Sequence, residues 1–496
     1  MTATTASVRP AHFTVRFERR APKSCLWGIE HAPGILAGVA SDGTFGRRRP
    51  QALLFEGLAI VIALAIAGVV VYFVMRPPPL HNNRPIGGAN VDVSHVGGAQ
   101  YEARVAADPE NPQLLLAASI DGSDDARVYT SQDGGARWRG AIAPPALRAP
   151  CGLSHPAVAI GPGHLQVYAS LVSDVCQPPD PHLYVATRRG STRRWAVREI
   201  ASTRGFWFDQ RPVVAVDVRG RIAVAWTRLR GEIRSRQELL VTTSEDGSSW
   251  SAPRRIPGYS GVYSVDLAAG PSGDLYLAVA DGRGRALDLL RSTDGGRTWD
   301  DRRQLVRLVE PYVVGCGPGS VSVPAQPQRC IGPSPSIAVG RDGTIAVVYS
   351  EPEANKTQGV YVVHADRSLH TSSRPRRLGP PDAHPSDQFL PVAAYDRSEG
   401  DLWGCYYDTA GDPRRRSVWF TCTRSHDDGA HWSPPVRAAS KPSDETQTAS
   451  DPFGYGEAAG LVAAGGVAHP LWTDTRRALD AAEEIYTAAI PAGSSR

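Results

Sequence analysis

Ser131-Gln-Asp133-Gly-Gly135-Ala-Arg-Trp138 is a phrase that the chain repeats. It returns as Ser292-Thr-Asp294-Gly-Gly296-Arg-Thr-Trp299 and as Ser425-His-Asp427-Asp-Gly429-Ala-His-Trp432. A weaker copy reads Thr243-Ser-Glu245-Asp-Gly247-Ser-Ser-Trp250. The pattern S/T-x-D-x-G-x-x-W describes a hairpin clamp. An Asp carboxylate can accept the backbone N–H groups of a tight turn. Gly permits a positive φ, and the Trp opens the next strand and packs beneath the turn. These residues are therefore expected to be structural.

Around each clamp lies a second pattern: an apolar strand, a Gly/Asp/Pro turn and another apolar strand. Its seven copies are 104–121, 155–171, 211–227, 264–281, 335–351, 389–408 and 460–474. Their spacing leaves room for four strands each, which is the signature of a repeat architecture. The clamp is degraded in the second unit (TRRGSTRRW, 187–195) and the fifth (HADRSLHTSS, 364–373). The seventh unit offers three strands, and an orphan run ANVDVSHV (89–96) precedes the first unit. If that run supplies the missing strand, the ring closes without exposed edges. The expectation is an all-β, seven-bladed β-propeller over 89–490, with a six-bladed ring plus an odd unit as the alternative.

Composition agrees. The chain has 496 residues with 42% hydrophobic content, 49 Gly and 41 Pro. That excludes a disordered chain or a coiled coil, and the many turn residues fit many short strands. Leu53 to Met75 is one long apolar run holding a single ionisable group, Glu56. At 1.5 Å per residue it is long enough to cross a hydrocarbon core of ~30 Å. Arg47, Arg48 and Arg49 precede it and outnumber Arg76 and Arg84 behind it. The positive-inside rule then places the N-terminus in the cytoplasm. The expected order is a mostly disordered cytoplasmic tail (1–51), an uncleaved signal-anchor helix (52–76), a linker (77–88), the propeller and a short tail (491–496). The protein is expected in the cell membrane as a single-pass chain with its propeller outside the cytoplasm.

The charge balance follows this division. The whole chain carries a formal net charge of +4. Residues 1–76 hold 9 Lys+Arg against 4 Asp+Glu, and 77–496 hold 45 against 46. The basic excess thus belongs to the tail and anchor flank, and the composition gives no argument for a nucleic-acid partner. Cys25 lies in the tail. Cys151 with Cys176, Cys316 with Cys330, and Cys405 with Cys422 form three local couples, although six cysteines allow fifteen connectivities. No cofactor or metal signature is present, and the sequence does not separate a bound structural Ca²⁺ from none.

Strand direction separates two faces. If the first strand of a unit starts at one face, the second returns to it and the clamp lies opposite. At the starts of first strands stand His155, Asp209-Gln210, Tyr263-Ser264, Ser334, Asp387-Gln388 and Glu457. At the ends of second strands stand Asp121, Asp174, Arg228, Asp281, Glu351, Asp408, Asp474 and Arg476. This carboxylate-rich face is the expected ligand site, with His155, Gln210, Arg211, Arg228, Tyr263, Gln388 and Arg476 as binding candidates.

The clamps resemble the Asp box, or BNR repeat, of sialidase-like β-propellers. SDQFLPVAAYDRSEGDLWGCYYDT (386–409) and GYGEAAGLVAAGGVAHPLWTDTR (454–476) resemble units of bacterial proteins labelled exo-α-sialidase-like. Glu457 and Ala458 stand where the family usually has Asp and Tyr. The resemblance implies an arginine trio for a substrate carboxylate and a Tyr nucleophile assisted by Glu. The family's F/Y-R-I-P phrase is absent before the first clamp, and Arg255-Ile256-Pro257 follows a clamp instead. Arg211, Arg228 and Arg476 are the substitute arginines. The expected function is a binding module for a glycan or a cell-envelope partner. The alternative is a glycoside hydrolase acting through Asp209, Asp387, Tyr407, Asp408, Glu457 or Asp474. Two carboxylates about 5–9.5 Å apart would suit that chemistry.

Overall fold

The computed structural model describes residues 61–65 and 82–495, apart from 97, 122–125, 143–154, 173–180, 191, 193, 204–206, 231–236, 283–284, 300, 310–319, 381–384, 448–453, 457 and 477–482. The chain forms two compact units, Met1–Pro77 and Pro78–Arg496. Of the first unit only the helical residues 61–65 are described. No helix among the described residues is long and apolar enough to cross a membrane, and most of the predicted 52–76 span lies outside them.

The second unit is built from antiparallel sheets taken in chain order. The first runs Gln100–Ala107, Leu115–Asp121, Ala126–Ser131 and Arg139–Ile142. The second runs Ala157–Gly161, Leu165–Val172, His182–Arg189 and Ala196–Ser202. The third is Trp207–Val216, Ile222–Arg230, Gln237–Ser244 and Arg254–Ile256. The fourth is Val262–Ala269, Leu275–Asp281, Ala286–Ser292 and Asp301–Arg307. The fifth is Ser336–Val339, Ile345–Pro352, Gln358–Ala365 and Arg376–Arg377. The sixth is Gln388–Asp396, Asp401–Asp408, Trp419–Ser425 and Val436–Arg437.

The last sheet has a different composition. Gly460–Ala464, Val467–Asp474 and Glu484–Ala488 are completed by Asn90–Asp92, from the other end of the unit. Val91 pairs with Thr487 in that ladder. Ile490–Pro491 also pairs with Val467–Asp474. The orphan run of the sequence therefore does supply the strand that the seventh repeat lacks. A separate hairpin, Val321–Val323 with Gln326–Ile331, lies between the fourth and fifth sheets in sequence.

Apolar layers hold neighbouring sheets together. Leu277 and Val279 of the fourth sheet share a layer with Val241 of the third, and Tyr276 and Leu289 share another with Val347 of the fifth. Leu471 and Ile485 of the last sheet pack with Ala103 and Leu115 of the first, so the succession of sheets returns on itself. Second strands such as Leu275–Asp281 are buried on both faces, which explains why they read as unbroken apolar runs. A side chain such as Leu277, fully buried, contributes about 1.5–3 kcal/mol through removal from water.

Cys405 and Cys422 face each other across adjacent strands and are disulfide-bonded, as their placement on two neighbouring strands predicts. Cys330 is also disulfide-bonded. Cys25, Cys151, Cys176 and Cys316 lie outside the described residues.

Candidate functional site

Starts of the first strands converge on a cavity of about 690 Å³. All the sheets reach it, through residues such as Glu102, His155, Arg211, Tyr263, Ser334, Leu390 and Ala458. Its size falls within the range of small-ligand sites.

A recurring backbone device points side chains there. Pairing slips between Tyr101 and Arg104, between Gln210 and Val213, and between Phe389 and Val392. At these slips Glu102, Arg211 and Leu390 adopt positive φ values of 57°, 50° and 47°. Ser334, just ahead of the fifth sheet, has φ 42°. Such bulges re-aim a side chain. Each left-handed non-Gly residue costs about 1–2 kcal/mol, and strain repeated at one site is a mark of function.

Several polar groups of the cavity have hydrogen-bond partners. Glu102 Oε2 lies 3.0 Å from His155 Nδ1. Asp266 accepts from Leu267 N–H at 3.0 Å and from Ile337 N–H at 2.9 Å. Burial raises the Asp266 carboxyl pKa, opposed by the Arg104 charge. The Arg211 guanidinium donates to the Tyr263 carbonyl.

The hairpin covers part of this region. Its Val321, Val323, Ala325 and Ile331 are buried in one cluster with Phe389, Leu390, Tyr455 and Ala459. It thus reaches from between the fourth and fifth sheets to the sixth and seventh. Ser320, Gln326 and Ile331 line the cavity.

Of the residues singled out from sequence, His155, Arg211, Tyr263, Ser264 and Ser334 line this cavity. Others stand outside its lining, tied to partners. Asp209 takes a two-point contact from Arg228 at 2.6 and 2.9 Å. Asp387 takes one from Arg415 at 2.8 and 2.6 Å. Asp408 pairs with Arg84, and Asp474 pairs with Arg476 while accepting from Trp472 Nε1 at 3.0 Å. Gln388 donates to the Pro380 carbonyl and accepts from Arg377, each at 3.1 Å. The Gln210 carbonyl accepts from Thr227 Oγ1. Tyr407 is buried in a stack with Phe389 and Tyr455, its hydroxyl donating to the Thr473 carbonyl at 3.2 Å. Glu457 lies outside the described residues.

Sequence reasoning missed Glu102, Arg104, Asp266 and Gln326, all in the lining. One available signal was the X-Pro pair that opens several first strands: His155-Pro156, Arg211-Pro212, Ser334-Pro335 and Leu390-Pro391. Arg255 belongs to the fourth strand of its sheet, Arg254–Ile256, away from the cavity.

The clamps form as a hydrogen-bonded unit. Ser131 Oγ donates to Asp133 Oδ1 and accepts from Gly135 N–H, both at 2.9 Å. Asp133 accepts from Arg137 N–H at 2.9 Å, and Trp138 Nε1 donates to the Gly135 carbonyl at 3.0 Å. Ser292–Asp294 and Ser425–Asp427 repeat the arrangement. The weaker copy departs from its sequence alignment. Its carboxylate is Asp246, not Glu245, and Ser244 rather than Thr243 supplies the hydroxyl. The loop is one residue shorter, yet Trp250 Nε1 still reaches the Gly247 carbonyl at 3.3 Å. In the fifth sheet Asp366 caps the turn, accepting from Ser368 N–H at 2.8 Å.

No protein-family model and no curated protein matches the chain. Similar solved structures include the BP39L lectin from Burkholderia pseudomallei, at 14% identity over 80% of this chain and 97% of that one, with a TM-score of 0.53. They also include the Hadza microbial sialidase Hz136, at 14% identity over 77% of each chain and a TM-score of 0.43. The Trypanosoma rangeli sialidase follows at 12% identity, 81% and 75% coverage, and a TM-score of 0.41. With identities this low the likeness is one of fold alone.

Proposed function

We propose that this chain is a membrane-anchored, extracytoplasmic propeller of seven blades whose channel-mouth cavity binds a glycan or another cell-envelope ligand. The observation that carries the reading is the convergence of residues at positive φ, the bulge residues Glu102, Arg211 and Leu390 together with Ser334, on one cavity. Its lining mixes charged, hydroxyl and apolar groups, as a site for a polyhydroxylated ligand requires. The apolar run 53–75 and the arginines ahead of it support the anchor.

Binding is favoured over hydrolysis by the state of the described carboxylates. Glu102 is engaged by His155, and both Asp266 oxygens accept backbone N–H groups. Of the predicted catalytic carboxylates, Asp209, Asp387, Asp408 and Asp474 are each held by an arginine, as a structural tie would be. The test is a glycan screen of the full chain in detergent, run beside a panel of fluorogenic glycosides. The reading expects binding that Arg211→Ala abolishes, with no turnover. Turnover that disappears in Glu102→Gln or Asp266→Asn would replace it with the hydrolase.

A further inference from the structure

The second sheet lacks a clamp, and a groove lies where that clamp would pack. Clamp glycines rest on the preceding sheet: a β-carbon on Gly247 would meet Thr187, and one on Gly296 would meet Thr243. Thr243 immediately precedes its own clamp serine, Ser244. Its counterpart in the first sheet is Thr130, ahead of Ser131. The second sheet carries RRGSTRR in place of a clamp, and Thr130 lines a groove of about 830 Å³ between the first two sheets.

Arg137, Arg139 and Arg188 line the same groove. Several arginines elsewhere in the domain are held by carboxylates, as in Arg228–Asp209, Arg415–Asp387 and Arg476–Asp474. Among the described residues, none of the three groove arginines has an ion pair. Arg188 instead stacks over Trp195 at 4.2 Å and donates Nε–H to Gln166 at 2.7 Å, which fixes its planar fork. His164, also in the lining, is paired with Asp108 at 2.7 Å. Asp133, the lining carboxylate among the described residues, accepts from Ser131 Oγ and Arg137 N–H.

We infer that this groove binds an acidic polysaccharide. Guanidinium forks suit carboxylate and sulfate groups, and Thr130 and Gln166 offer partners for hydroxyls. The site is separate from the channel-mouth cavity and does not depend on the reading of that cavity. A general cationic field does not account for it, since residues 77–496 hold 45 Lys+Arg against 46 Asp+Glu.

The experiment measures binding of the full chain to heparin and to polygalacturonate, with dextran and duplex DNA as comparisons. At least one acidic polysaccharide binds, and Arg139→Ala and Arg188→Ala each weaken it about tenfold, the loss of one charge-assisted contact. Arg254→Ala removes the same charge from an outer strand of the third sheet and changes binding less than about twofold. Arg139 is exposed, so its variant tests the groove even if Arg188→Ala fails to fold. Binding to neither polysaccharide, equal losses in all three variants, or equal affinity for duplex DNA would each overturn the inference.

Discussion

Gly296 of the fourth sheet rests on Thr243 of the third, where a β-carbon on the glycine would lie 2.7 Å from Thr243 Cγ2. Its φ is 87° as well. The clamp glycine therefore does two things: it turns the chain and lets one sheet approach the next. Gly296→Ala should cost about 2–4 kcal/mol, combining left-handed strain with overpacking. Gly466→Ala, at φ 79° with nothing within 4 Å, should cost only about 1–2 kcal/mol. Urea unfolding of both variants checks the difference.

Residues Asn90–Asp92 complete the last sheet. Val93 is buried there in the layer shared with Leu471 and Leu115. A chain lacking residues 1–96 loses this strand and exposes the edge of Glu484–Ala488. It should unfold at lower temperature and self-associate, because an unpaired edge is a template for another strand. Adding a peptide spanning 86–98 should restore part of the loss. Calorimetry and light scattering report both effects.

Burial, with Glu353 nearby, pushes the Glu351 carboxyl up to about 7. The folded state therefore favours the protonated form. Stability is unaffected below the unfolded value of about 4.3 and falls as pH rises through the folded value. Glu351→Gln removes that loss. It should match the parent protein near pH 4 and exceed it by about 1–3 kcal/mol at pH 8. A stability profile across that range measures it.

The clamp carboxylates have the opposite sign. His431, through its side chain and then its backbone N–H, lowers the Asp427 pKa. The clamp's contribution is full above the unfolded value of about 3.9 and fades as pH falls toward the folded one. Asp427→Ala should be less stable than the parent at pH 7, with the gap narrowing below about pH 4. Unfolding midpoints at pH 7 and pH 3 separate the two cases.

Much of this was legible in the sequence because it is local. A clamp spans eight residues, and alternate strands announce themselves by apolar runs bounded by turns. The missing strand could be counted, and 89–96 was the available run. The site was less legible. Asp209 meets Arg228 across 19 residues, Asp387 meets Arg415 across 28, and Asp408 meets Arg84 across 324. Spacing alone could not show that these carboxylates are already occupied. Glu102 and Arg104 were missed for another reason. A bulge shifts the alternation, so a pattern of period two assigns the residues around it to the wrong side.

The most direct test of the central claim is the structure of the propeller with a glycan identified by screening. The account predicts ligand density in the 690 Å³ cavity, touching Arg211 and at least one of Glu102, Arg104 and Asp266. It also predicts that Arg211→Ala binds no ligand while keeping its fold. A ligand seated elsewhere, or affinity unchanged in Arg211→Ala, would contradict it.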